Sequence, residues 1–247
     1  TFTIKKGKYM IGLGTAINIG LIIAGSLCGL AFGRFMKENL KQTLMMVSGI
    51  IVLLLGMSGA MQYMLVIVNG TLQTTGPMLM IISMVAGAVI GELIDLNRWI
   101  TVFGDWVKAK TGNTGDPQFT HAFITASLTF TVGAMGVLGS IQDGLTGNYQ
   151  TLLLKGILDG IIVMVMVSSM GKGALFSFIP VGITQWIITA MAHIAAPLMT
   201  PSAIDNLSYV GSILIFCVGI DLIWPGKIRI ANLLPAIFVA MGLTFLL

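Results

Sequence analysis

The chain has 247 residues, 56% of them hydrophobic and only 9% charged, with a formal net charge of +4. A soluble globular domain carries about 25% charged residues, so this composition excludes that class, and basic residues scattered one to three per loop exclude a nucleic-acid-binding surface. Apolar runs of about 20 residues, each long enough to cross a hydrocarbon core of about 30 Å, recur along the whole length. The sequence therefore predicts an all-α polytopic membrane protein.

Eight spans are predicted, at 10–33, 43–69, 77–96, 119–139, 150–170, 173–196, 207–224 and 229–247. All are expected to be helical, because an open sheet cannot satisfy its backbone in lipid. Residues 1–9, "TFTIKKGKY", read as an extension or an expression remnant ahead of Met10, and residues 10–247 as one transmembrane domain. The first span carries Asn18 and a glycine ridge at Gly25, Gly29 and Gly33. The third has Gly87 and Gly91, and both ridges suit tight contacts within the chain or between copies in a homo-oligomer. Cys28 and Cys217 lie inside apolar runs and read as small buried hydrophobes, not as a disulfide. Pro197 and Pro201 are expected to end the sixth span, and Trp224-Pro225-Gly226 makes a turn before the eighth.

Basic residues gather after odd-numbered spans: Arg34, Lys37 and Lys41, then Arg98, Lys108 and Lys110, then Lys172, then Lys227 and Arg229. The positive-inside rule places these loops inside and both termini outside. Lys5, Lys6 and Lys8 disagree with that placement, in line with an extension before Met10.

Residues 47–58, "VSGIIVLLLGMS", resemble residues 210–221, "VGSILIFCVGID", at an offset of 163. The match lays span two on span seven and suggests an inverted repeat of 10–96 and 173–247 around central helices 119–170. Such repeats are a recurrent device of secondary transporters. Chance similarity between two apolar helices is the competing explanation.

Polar residues concentrate in the centre. Thr125, Thr129, Gly133, Gly136 and Ser140 fall on one stripe of span four, a packing seam or a polar wall along a permeation route. In span five Lys155 and Asp159 are four residues apart and can meet on one face. A carboxylate at mid-span costs at least about 2.5 kcal/mol on insertion scales, so Asp159 is expected to face the bundle interior with a partner or a task. Lys155 either pairs with it or snorkels to the outer interface. Gly182, Gln185, Thr189 and His193 form a stripe on span six. The Gly-broken stretch "GSIQDGLTGN" at 139–148, with Gln142 and Asp143, reads as a broken or re-entrant segment that forms part of a site. Neither His121 nor His193 has a metal-ligand spacing, and no nucleophile or phosphate-loop motif occurs. No enzyme, metal site or cofactor is expected.

"GTAIN", "GELIDLNRWI", "ASLTFTVGAMGVLGSIQDGLTGN", "LLLKGILDG" and "RIANLLPA" together resemble the bacterial membrane proteins of domain-of-unknown-function family 554, from about Met10 to the C-terminus. The resemblance implies a multi-pass protein of the bacterial inner membrane, with no substrate or catalytic residue to carry over.

The expected function is a secondary transporter or permease for a cation or small cationic solute, coupled to H+ or Na+. Its candidate binding residues are Asp159, Asp143, Gln142, Ser140, Lys155, Asn18, Thr125, Thr129 and Gln185. The expected partners are membrane lipids and the solute, with no nucleic acid. A channel or pore-forming oligomer is the first alternative, and a structural membrane protein without transport the second.

Overall fold

The computed structural model describes residues 10–33 and 35–245. The proposed extension 1–9 and Arg34 lie outside the described residues. The helices are α1 (Leu13–Gly33), α2 (Glu38–Met64), α3 (Pro77–Ile94), α4 (Leu96–Lys110), α5 (Phe119–Thr131), α6 (Ala134–Thr146), α7 (Gln150–Met170), α8 (Phe178–Ala190), α9 (Ala192–Ala195), α10 (Pro201–Ile223) and α11 (Pro235–Leu243). Short 3-10 turns occupy Lys172–Ser177, Ala196–Leu198 and Ile230–Leu233. Among the described residues six helical stretches are long and apolar enough to cross a membrane, one of them the 3-10 turn Lys172–Ser177 continuing into α8, and the bent pair α5–α6 counts as a seventh when taken as one span. The eighth predicted span shrinks to an apolar stretch at Ile230–Leu243. At about 1.5 Å per residue those fourteen positions fall short of a full crossing.

The surface is that of a protein dissolved in hydrocarbon. Leu93, Phe238 and Ile194 stand outward, whereas Thr15, Asn18, Ser26, Ser83, Ser140 and Asp143 are fully enclosed. Cys28 also faces outward, so it is not the buried residue expected, and both cysteines are free. The main apolar core joins α1, α5, α7 and α10 through Ile22, Phe130, Val163, Met166 and Val218.

The glycines set which helices touch and in which direction. Along α1, Gly25 packs on Gly160, Gly29 on Met164 and Gly33 on Ser168. Both sets of numbers rise together, so α1 and α7 run parallel. The Ser168 hydroxyl also donates to the Gly29 carbonyl at 3.0 Å. Along α2, Gly49 meets Leu222 and Gly219, Gly56 meets Phe216 and Gly59 meets Ser212, which makes α2 and α10 antiparallel. Gly87 against Ala236 and Gly91 against Asn232 make α3 and α11 antiparallel as well. Both glycine ridges are thus occupied by contacts within the chain.

Glycine contacts also fix the direction of the bent pair. Gly136 lies beside Gln185 and Gly144 beside Thr189 and Ala192, so α6 runs parallel to α8. If α5–α6 entered and left on one side, α7 would run opposite to α1. It runs parallel, so α5–α6 crosses once, as a kinked span bent by 61°. The break expected within 139–148 falls earlier, at Val132–Gly133. Val132 is extended and Gly133 takes a φ of 143°, a conformation natural only to glycine. Residues up to Thr146 are helical, and Gly147 closes α6 in the left-handed region with φ 68°.

Three further differences have plain causes. The tail of the second predicted span leaves the helix as a β-hairpin, β1 (Leu65–Val68) with β2 (Thr71–Thr74), Leu65 opposite Thr74. Asn69 and Gly70, both at positive φ, supply the two-residue turn. α8 ends at Ala190, ahead of Pro197, and Pro201 opens α10 at a position where its missing N–H costs nothing. α4, which the sequence reading leaves as a loop, is an amphipathic helix. Its Gly104 and Val107 are buried, and Val107 packs with Phe119 and Phe123 of α5.

Candidate functional site

The kink at Val132–Gly133 borders a cavity of about 330 Å3 between α2, the bent pair α5–α6, α7 and α10. Gly133, Gly136 and Thr129 come to it from the kinked span, Lys155 and Asp159 from α7, and Ser208 and Ser212 from α10. The geometry follows from the local sequence. Lys155 and Asp159 are one helical turn apart on α7, and Gly156 and Gly160 between and beside them let α1 press close.

Lys155 Nζ donates to Asp159 Oδ2 in a charge-assisted hydrogen bond, and both side chains are about nine-tenths buried. Lys155 therefore does not snorkel to an interface. Removing two charges from water costs several kcal/mol per ion, and only close pairing offsets it. Two buried amides flank the pair. Asn18 of α1 packs over Gly156 and faces Asp159, and Gln185 of α8 converges with Lys155 on Gly136. The Asn18 amide stands as a hydrogen-bond donor to the Asp159 carboxylate, whereas the Gln185 amide has no hydrogen-bond partner among the described residues. An unsatisfied buried amide costs about 1–3 kcal/mol, which sets Gln185 apart as a buried polar group without a structural partner beside the charged pair.

Other candidate residues are placed elsewhere. Asp143 is fully buried, and its Oδ2 accepts from the Gly14 backbone N–H at 3.0 Å. That places a carboxylate on the positive end of α1, a stabilising arrangement, and Asp143 does not line the central cavity. Gln142 accepts from Thr151 at 2.7 Å and holds the corner between α6 and α7. Ser140 donates back to Gly136 O, while its own carbonyl accepts from Thr189 at 3.2 Å. Thr129 donates to the Thr125 carbonyl at 2.7 Å and still borders the cavity. His193 lies beyond the end of α8 and is exposed.

Thr125 belongs to a second cavity, of about 380 Å3, one turn along α5 from Thr129. Here His121 Nε2 and Asp221 Oδ2 are 3.2 Å apart, and the Gly226 N–H donates to Asp221 Oδ1 at 2.8 Å. The sequence reading assigns His121 and Asp221 no role, since 100 positions separate them. It also passes over Ser208 and Ser212, although their i, i+4 spacing on an apolar helix is the same kind of signal that marks span four. Beside the second cavity Arg229 pairs with Glu92 at 3.2 Å, tying the α10–α11 turn to the end of α3.

Apolar helices with lipid-facing surfaces, a kinked span and a buried charged pair at the cavity beside it define a polytopic α-helical membrane protein. The family model described as "Protein of unknown function (DUF554)" matches residues 13–245, and the chain belongs to that family. It is similar to "Uncharacterized membrane protein YdfK" of Bacillus subtilis (strain 168), 27% identical over 235 residues, covering 95% of this chain and 96% of that one. It is likewise similar to "Uncharacterized protein YqgA" of Escherichia coli (strain K12), 24% identical over 240 residues, with 94% and 96% covered. No solved structure matches.

Proposed function

We propose that this protein is a secondary transporter or permease that carries a cation or small cationic solute through the cavity at Lys155 and Asp159. The observation that carries the reading is a buried ion pair lining a cavity at a broken helix. Broken helices and intramembrane charges mark substrate and ion pathways in membrane proteins. An entering cation competes with the Lys155 ammonium for the Asp159 carboxylate. The displaced ammonium has the unpaired amide of Gln185 within reach across Gly136. The second cavity, with His121 and Asp221, serves as the entrance from the side where the basic loops lie. We place that side in the cytoplasm of a bacterial inner membrane, with the start of α1 on the outer side.

The helix directions support reading the two halves as inverted repeats. α2 and α10 are antiparallel, and Gly56 on Phe216 has its image in Gly219 on Leu53. Leu53 to Phe216 and Gly56 to Gly219 are both steps of 163, the offset of the sequence match. H+ or Na+ is the coupling ion in this reading.

Flux into proteoliposomes tests it, with 22Na+, protons reported by a pH dye, and labelled primary and quaternary amines as probes. The expected result is saturable uptake of at least one of these, reduced at least tenfold in Asp159→Asn. Unsaturable flux that Asp159→Asn leaves intact favours a channel, and no flux of any probe counts against transport of cations.

A further inference from the structure

α3 and α4 meet at a sharp elbow. Asp95, at φ 53°, ends α3 by donating its N–H to Gly91 O, and it caps α4 by accepting from the Arg98 N–H at 3.4 Å. The elbow borders a cavity of about 440 Å3 lined by Ile94, Asp95, Arg98, Trp99 and Val102. Asp95 and Arg98 carry opposite charges three residues apart, yet neither forms an ion pair among the described residues. Both side chains line the same cavity, so a ligand carrying two opposite charges can meet one on each.

The surroundings locate the cavity at a membrane interface. α3 is a span that ends at Ile94, so the next turn lies where hydrocarbon gives way to headgroups. On α4, Trp99, Val102 and Trp106 are exposed at spacings of three and four. The opposite face is packed on α5, and Lys108 and Lys110 close the helix. Aromatic residues outward, with basic residues at the end, are the pattern of a helix lying in the interface plane.

We propose that the α3–α4 elbow binds the headgroup of a zwitterionic aminophospholipid, with its phosphate on Arg98 and its primary ammonium on Asp95. A guanidinium matches a phosphate through two parallel N–H donors. A primary ammonium donates hydrogen bonds to a carboxylate, whereas a quaternary choline has no N–H to give. A glycerol headgroup leaves Asp95 facing a net anion with no cation between them. Trp99 and Val102 provide the apolar wall for the start of the acyl chains. The proposal is independent of what the central cavity carries.

Native mass spectrometry of the delipidated protein with phosphatidylethanolamine, phosphatidylcholine and phosphatidylglycerol of identical acyl chains tests it. The expected result is ethanolamine lipid bound at least tenfold more tightly than either of the others. Asp95→Asn should lower the ethanolamine lipid to the choline lipid's affinity while sparing the glycerol lipid, and Arg98→Gln should weaken all three. Asn tolerates the left-handed conformation and caps helices, so Asp95→Asn keeps the elbow, as an unchanged melting temperature will verify. Quenching of Trp99 by ethanolamine lipid brominated on its acyl chains, lost in Trp99→Phe, places the bound lipid at the elbow. Equal binding of the three lipids, tightest binding of the glycerol lipid, or an unchanged ethanolamine preference in Asp95→Asn would overturn the proposal.

Discussion

Asp159→Ala is expected to destabilise the protein by about 3–5 kcal/mol, the cost of leaving one member of a buried ion pair without its partner. Lys155→Met should fall in the same range, because it leaves the buried carboxylate without its counter-charge. The pair replaced together, Lys155→Met with Asp159→Leu, should recover most of that loss, since two packed apolar side chains need no compensation. Thermal unfolding of the purified protein in one detergent, followed for the wild type, both single variants and the double variant, measures all four corners of this cycle. The double variant is also expected to move none of the cationic probes. Full stability with no flux separates a pair kept for transport from one kept only to lock α7 in place. If the double variant is as unstable as the single ones, the ion pair is not what determines stability at that position.

The second large effect lies on the parallel seam of α1 and α7. A Cβ at Gly25 would fall on the carbonyl of Gly160, which is backbone and cannot swing aside. Gly25→Ala must therefore push the helices apart, at a cost of about 1–3 kcal/mol for an overpacked contact. The displacement also draws Asn18 away from Gly156 and Asp159, so probe uptake should fall along with stability. Gly20 is the control on the same helix, since nothing lies within 4 Å of a Cβ there. Relieved of glycine's conformational entropy, Gly20→Ala is expected to be neutral or stabilising by up to about 1 kcal/mol. Opposite signs for the same substitution five residues apart, read as shifts in the unfolding temperature, would show that the seam and not helix propensity sets the outcome.

The class of protein was legible because hydrocarbon leaves few options. Long apolar runs must be helices, and span five was placed at 150–170, the bounds of the observed α7, Gln150–Met170. The Lys155–Asp159 pair was legible for the same local reason, an i, i+4 spacing on that helix. Features that hydropathy blurs were not. Leu65 to Val68 prolongs an apolar run, which hides the hairpin, although Asn69-Gly70 is a strong turn signal. α4 has too little net hydropathy to register as a span, and its outward positions Trp99, Val102 and Trp106 declare themselves only at helical period. Gly133 sat inside a stripe of small residues that fits packing equally well, so the break at that position was hidden. Long-range partners were beyond reach: Asp143 capping α1 is a contact across 129 positions, and His121 with Asp221 one across 100.

Side-specific thiol labelling at Ser212 tests the central claim most directly. Ser212 lines the central cavity from α10, and Cys28 and Cys217, the two native cysteines, can both be replaced by Ala. In that background Ser212→Cys should react with the membrane-impermeant cationic reagent MTSET added to either side of an oriented membrane. It should react more slowly with the anionic MTSES, and Asp159→Asn should abolish the preference for the cation. A cavity alternately open to both sides and selective for cations through Asp159 predicts this result. Failure of MTSET to reach Ser212→Cys from either side, or equal rates for the two reagents with Asp159 in place, would contradict it.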